Sequence, residues 1–178
     1  MPLPRSVRNN NPGNLIYVPT IKWLGQTGPE DGQGRFAKFA TPQHGWRACA
    51  KQIMTYKERY GLNTIRKIID RWAPPNENNT EMYIRRVATA LNVSPDETIS
   101  VQDFATMKEL VQAIADVESG GYKWDEKAGT RASVWPASTA GPCARPRVST
   151  PQRQRPSGRA PSRRPPRWLP PSPWWRTP

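Results

Sequence analysis

A chain of 178 residues with 27 lysines and arginines, 14 acids and a net charge of +13 has room for one ordinary domain and little more. One histidine, His44, and two cysteines, Cys49 and Cys143, supply neither a metal-ligand set nor the partners of a nucleophilic triad, so no cofactor is implied. No apolar run approaches the length of a membrane span or of a secretory signal core.

The informative part opens with RNNNPGNLIY, residues 8–17. Asn tolerates left-handed backbone angles, Pro fixes φ and Gly permits positive φ, so the stretch predicts a tight turn. Three consecutive asparagines exceed what a turn requires. Their amides either bond back onto the loop or face a polar ligand such as a sugar. NLIYV, IKWLG and GRFAKFA then read as short strands of a β lobe over about 14–40, and QTGPEDGQG as a polar loop carrying Glu30 and Asp31.

From Thr41 the period becomes helical. Thr41 as cap and Pro42 at the first position predict a helix over about 42–60, with Trp46, Ala50, Ile53, Lys57 and Tyr60 on one face and Gly61 ending it. Thr64 caps a second helix, 64–72, whose stripe is Ile65, Ile68, Ile69 and Trp72 and which Pro74 and Pro75 stop. NENNT offers caps for a third, 80–92, with Tyr83, Ile84, Val87 and Leu91 inward. Ser100 and Asp103 make a capping-box pattern for a fourth, 101–118, with Phe104, Met107, Val111 and Ile114 on one face. The expected fold class is α+β, mostly α-helical, with a small N-terminal β lobe, the domain spanning residues 1–127.

The remainder, 128–178, differs in kind. It holds ten arginines, twelve prolines and no acid, whereas residues 1–127 hold 17 basic and 14 acidic side chains. The charge is therefore +3 on the body and +10 on the tail. Few aliphatic side chains are present to offset ordering entropy, so disorder or polyproline-like extension is expected. Arg beside Trp168, Trp174 and Trp175 suits nucleic acid, lipopolysaccharide or a membrane surface by charge and stacking. A solvated tail without a partner is the simpler alternative, and a GC-rich gene read in a shifted frame gives the same composition. Cys143 lies in this tail and Cys49 in a helical pattern, so a disulfide between them is not expected.

Chemistry is expected where carboxylates meet the polar loops. Glu118 extends the stripe of Met107, Val111 and Ile114 at the last turn of its helix. Apolar surroundings and the helix dipole both disfavour its charge there, which raises its pKa as a general acid requires. The alternative is a solvent-facing carboxyl. Cleaving a sugar polymer needs a second carboxyl, for which Glu30 or Asp31 qualifies unless GPEDGQG is a plain solvated turn. Tyr17, Trp23 and Tyr83 offer stacking faces to sugar rings, while Trp46 and Trp72 have core phasing. Asn9, Asn10, Asn11 and Asn14 would shape the edge of a saccharide groove. His44 reads as a local hydrogen-bonding residue.

RNNNPGNLIY, GRFAKFATPQHGWRA, YGLNTIRKIIDRWAPPNENNTEMYIRRVATALNV and ELVQAIADVESGG together resemble a family of small bacteriophage and prophage virion structural proteins, over residues 8–121. That resemblance implies a lysozyme-like fold. A second resemblance is to flagellar and autolytic glucosaminidases, in which an ESGWG-like helix end precedes NNLFGIK, Trp-Gly and an acidic hairpin. Here VESGG comes last and lacks the Trp, so the likeness implies a circularly permuted relative, with Glu118 matching the catalytic acid and Glu30 or Asp31 the hairpin carboxylate.

These likenesses imply a peptidoglycan hydrolase of phage or prophage origin, acting in the virion or at the host envelope on glycan strands. The alternative is a non-catalytic virion structural or wall-binding protein, in contact with other virion proteins. A nucleic-acid module built on the tail and a membrane-active tail on a hydrolase are further possibilities.

Overall fold

The computed structural model describes residues 2–76 and 78–124, all within one compact unit, Met1–Ala137. The tail expected to be disordered lies outside the described residues. The fold is α+β and mainly helical. A short helix α1 (Arg5–Arg8) leads into the Asn turn, a two-stranded hairpin follows, and four longer helices complete the body.

Helix α2 (Pro42–Tyr60) begins with proline at its first turn, where a missing N–H costs nothing, and ends on Gly61 at φ 66. Helix α3 (Ile65–Trp72) is capped by Thr64, whose Oγ1 accepts from the Lys67 amide at 3.3 Å. Helix α4 (Thr80–Leu91) is capped by Asn79, whose Oδ1 accepts from the Met82 amide at 3.2 Å. Helix α5 (Phe104–Glu118) starts later than the capping-box pattern suggests. Asp103 is the cap, and its Oδ2 accepts from both the amide and the hydroxyl of Thr106 at 2.9 Å. Ser100 instead accepts through its carbonyl from the Asp103 amide, in the preceding turn.

The lobe differs from the three-strand expectation. Strand β1 (Gln26–Pro29) forms inside the stretch read as loop, and pairs antiparallel with β2 (Ala37–Phe39) through Gln26–Phe39, Gly28–Lys38 and Pro29–Ala37, with a bulge between Gln26 and Gly28. Glu30–Gly32 make a 3-10 turn at its tip. NLIYV contributes only the bridge of Ile16 to Phe36, and IKWLG forms no strand. The reason is pairing: Gln26–Pro29 can bond across a bulge to a buried Ala37 and Phe39, whereas Pro19 interrupts the earlier run.

Two apolar clusters hold the body. The larger gathers Trp46, Ile53, Ile65, Ile68, Ile69, Ile84, Val87, Leu110, Val111 and Ile114, contributed by α2 to α5. The smaller, beneath the hairpin, is Ala37, Phe39 and Ala48, with Leu15, Tyr17 and Trp23 packed on it. Ala48 and Cys49 are consecutive on α2, so that helix carries both clusters and fixes the lobe against the helical body. No described helix is long and apolar enough to cross a membrane.

Candidate functional site

The Asn turn packs against α2 and α3, bonds to the end of α5 and bonds to the hairpin, and close packing seats it there. A methyl group at Gly13 would stand 2.5 Å from Trp72 Cζ2 and 2.8 Å from Cys49 Sγ. On α2, Gly45 lies under the Asn10 carbonyl oxygen and Pro12, where a methyl group would collide with that oxygen. Gly45 and Cys49, one helical turn apart, therefore form the notch into which Asn10–Gly13 descends. Asn10 and Asn14 adopt positive φ, 50° and 45°, a conformation that Asn accepts more readily than most residues.

Each asparagine has protein partners. Asn9 Nδ2 donates to Glu30 Oε2 at 2.9 Å, and Asn10 Nδ2 donates to the Phe39 carbonyl at 2.9 Å. Asn11 is wholly buried, its amide donating to the Leu15 and Ala37 carbonyls at 2.9 and 2.8 Å and accepting from the Leu15 N–H at 2.9 Å. Asn14 Nδ2 points the other way and donates to Glu118 Oε2 at 2.8 Å. The turn thus holds one carboxylate at each end. Asn9 and Asn11 are buried, which leaves them bracing the turn and out of reach of a ligand.

Glu118, at the end of α5, is half-buried. Its Oε1 accepts from the Tyr83 hydroxyl at 2.9 Å, and the Trp72 side chain adds a further hydrogen bond. Burial pushes the Glu118 carboxyl above its ordinary value, and the Asn14, Tyr83 and Trp72 donors pull it part of the way back. The Tyr83 phenol is itself raised well above the usual value, by burial first and then by the charge of Glu118. Cys49 lies in the same environment with its thiol pushed far up by burial, which leaves it inert as a nucleophile.

Tyr83 is a core residue, 5 % exposed, so its ring offers no stacking face and only its hydroxyl takes part. Tyr17 and Trp23 are half-buried against the hairpin cluster. Glu30, its side chain 12 % exposed, also pairs with Arg5 Nε at 3.5 Å, while Asp31 is exposed on the 3-10 turn at φ 48. His44 Nδ1 bonds to the Thr41 hydroxyl at 2.9 Å. Trp46 lies in the core and Trp72 packs partly buried beside it. Among the described residues no group of three His, Cys, Asp or Glu side chains could hold a metal.

Sequence reasoning singled out Glu118 and the asparagines but missed Gly45, Cys49 and Arg5. A glycine and a small apolar residue spaced by four on one helix face is the available signal for the first two.

A comparison with known protein families gives no match. Over 126 residues the chain is 37% identical to Protein P5 of Pseudoalteromonas phage PM2, the alignment covering 68% of this chain and 76% of that protein. The chain belongs to the Protein P5 family. The P5 relationship gives it a phage affiliation, in agreement with the resemblance that the Asn turn suggests.

Proposed function

We propose that this P5-family chain is a non-catalytic structural protein of a phage particle, one that meets other virion proteins or the host wall. The observation that carries this reading is the use of both candidate carboxylates as braces: Asn9 and Arg5 hold Glu30, and Asn14 and Tyr83 hold Glu118. The relationship to a phage protein supports the setting. The test combines two measurements. Mass spectrometry of purified particles should find the protein, and the folded wild type should leave bacterial walls uncleared in a zymogram. Absence from particles, or clearing that Glu118→Gln abolishes, overturns the reading.

One observation favours a second reading, cleavage of peptidoglycan glycan strands on a lysozyme-like, circularly permuted scaffold. Glu118 is a carboxyl raised by burial at a helix end, joined to the Asn turn through Asn14, as a general acid needs, and Glu30 or Asp31 would be its partner. Under this reading Tyr17, Trp23 and Asn14 would face sugar, and Glu118→Gln would lose clearing while Glu30→Gln or Asp31→Asn would identify the second carboxylate. The arginine-rich tail contacts anionic polymers under either reading, which predicts binding to nucleic acid or lipopolysaccharide that falls steeply with salt and disappears on truncation after residue 127.

A further inference from the structure

The Tyr83 hydroxyl has two acceptors within reach: Glu118 Oε1 at 2.9 Å and the Ile114 carbonyl at 3.5 Å, the latter one helical turn before Glu118 on α5. A phenol has one hydrogen to donate and lone pairs to accept with. With Glu118 ionised, the nearer acceptor takes that hydrogen. A neutral Glu118 reverses the demand, because its own O–H then needs an acceptor, and Tyr83 Oη lies 2.9 Å from Oε1.

We propose that Glu118, Tyr83 and the Ile114 carbonyl form a proton-switched latch that clamps the N-terminal Asn turn to helix α5 in both charge states. One proton from solvent adds to Glu118 Oε1 and forms its O–H bond. The Tyr83 O–H bond does not break. It rotates about Cζ–Oη toward Ile114, whose carbonyl already serves the helix and takes the second hydrogen bond on its other lone pair. Glu118 Oε2 meanwhile keeps the Asn14 amide at 2.8 Å. The Tyr83 hydroxyl, the Asn14 N–H group and both Glu118 oxygens thus keep a partner in either state, while the buried Asn14 Oδ1 has none among the described residues.

The surroundings isolate this titration. The groups that face Glu118 are Asn14 from the turn, Cys49 from α2, Trp72 from α3 and Tyr83 from α4. None of them carries a charge at neutral pH. The Cys49 thiol and the Tyr83 phenol, both pushed up by burial, stay protonated while Glu118 changes state. Acid conditions therefore remove a half-buried charge from the cluster without opening it.

The test is an NMR titration of the full-length protein, following the Glu118 side-chain carboxyl carbon, Tyr83 Cζ and the Ile114 carbonyl carbon. All three signals should move with one midpoint, above that of the exposed glutamates. In Tyr83→Phe the Ile114 signal should stop responding, and the Glu118 midpoint should move further up because the charge-assisted bond lost to the ionised form is stronger than the neutral bond lost to the protonated form. Should that variant fail to fold, the wild-type titration decides. An Ile114 signal that stays flat through the Glu118 midpoint, or a Glu118 that titrates with the exposed glutamates, overturns the latch.

Discussion

Asn14 and Glu118, 104 positions apart in the chain, meet through a 2.8 Å hydrogen bond that joins the N-terminal turn to the end of the last described helix. Removing Asn14 leaves a half-buried carboxylate short of a donor, a loss of about 1–3 kcal/mol. Asn14→Ala should accordingly lower stability by that amount in urea unfolding. A double-mutant cycle with Glu118→Ala should give a coupling of about 0.5–3 kcal/mol. Strict additivity of the two substitutions would deny the bond any energetic role.

Stability should also depend on pH through Glu118. Its folded-state pKa lies above the unfolded one, so the native state holds the proton more tightly over the interval between them. The associated stabilisation is complete below the unfolded value and disappears as pH rises through the folded value. Glu118→Gln cannot titrate and should remove that slope. Unfolding free energies of the two proteins, measured from acid to mildly alkaline pH, should therefore diverge with the wild type losing ground as pH rises. Parallel curves would contradict it.

Gly45→Ala sets two effects against each other. Alanine in a helix interior gains about 1 kcal/mol over glycine. The added methyl group meets the Asn10 carbonyl oxygen and stands 2.7 Å from Pro12 Cδ. Overpacking of this kind costs about 1–3 kcal/mol, and it falls here on backbone that is itself fixed by the turn. The variant should be less stable than wild type, with a lower melting temperature by calorimetry. A gain in melting temperature would show that the turn yields.

Asn11→Ala should cost stability regardless of any ligand. The Leu15 N–H and the buried Ala37 carbonyl lose the Asn11 side chain together, while the Leu15 carbonyl keeps the Ala37 N–H as its partner. Each unsatisfied group carries a penalty of about 1–3 kcal/mol, reduced where the lobe relaxes or water enters. Hydrogen exchange should report faster opening at Leu15 and Ala37 than in wild type, and unchanged rates there would rule out the bracing role.

The helices were the legible part because their signals are local. Pro42, Thr64 and Asn79 stand at the starts of α2, α3 and α4, and the apolar stripes name the buried faces except at two helix ends, where Tyr60 and Phe104 are exposed. Strand β1 was illegible because Gly28 and Pro29 look like turn chemistry, and only the partner strand supplies its ladder. Helix α1 has four residues, too few to show a period. In the site, the inward stripe of α5 carried Glu118 correctly toward the interior, but nothing local indicates that Asn9 reaches Glu30 while Asn14 reaches Glu118. Tyr83 illustrates the same limit: its spacing marks the core side of α4, and a hydroxyl that crosses to α5 has no one-dimensional trace.

The union of Asn14 with Glu118 also orders events during synthesis. A ribosome must deliver more than a hundred residues beyond the turn before its partner exists, and contacts spanning so much chain are entropically late to close. A nascent fragment ending ahead of Glu118 would carry the hairpin and three of the longer helices, with its opening turn held to the hairpin by Asn9, Asn10 and Asn11 but not yet tied to α5. The final turn of α5 thus fastens the N-terminal turn only after the hairpin and helices α2 to α4 have been made.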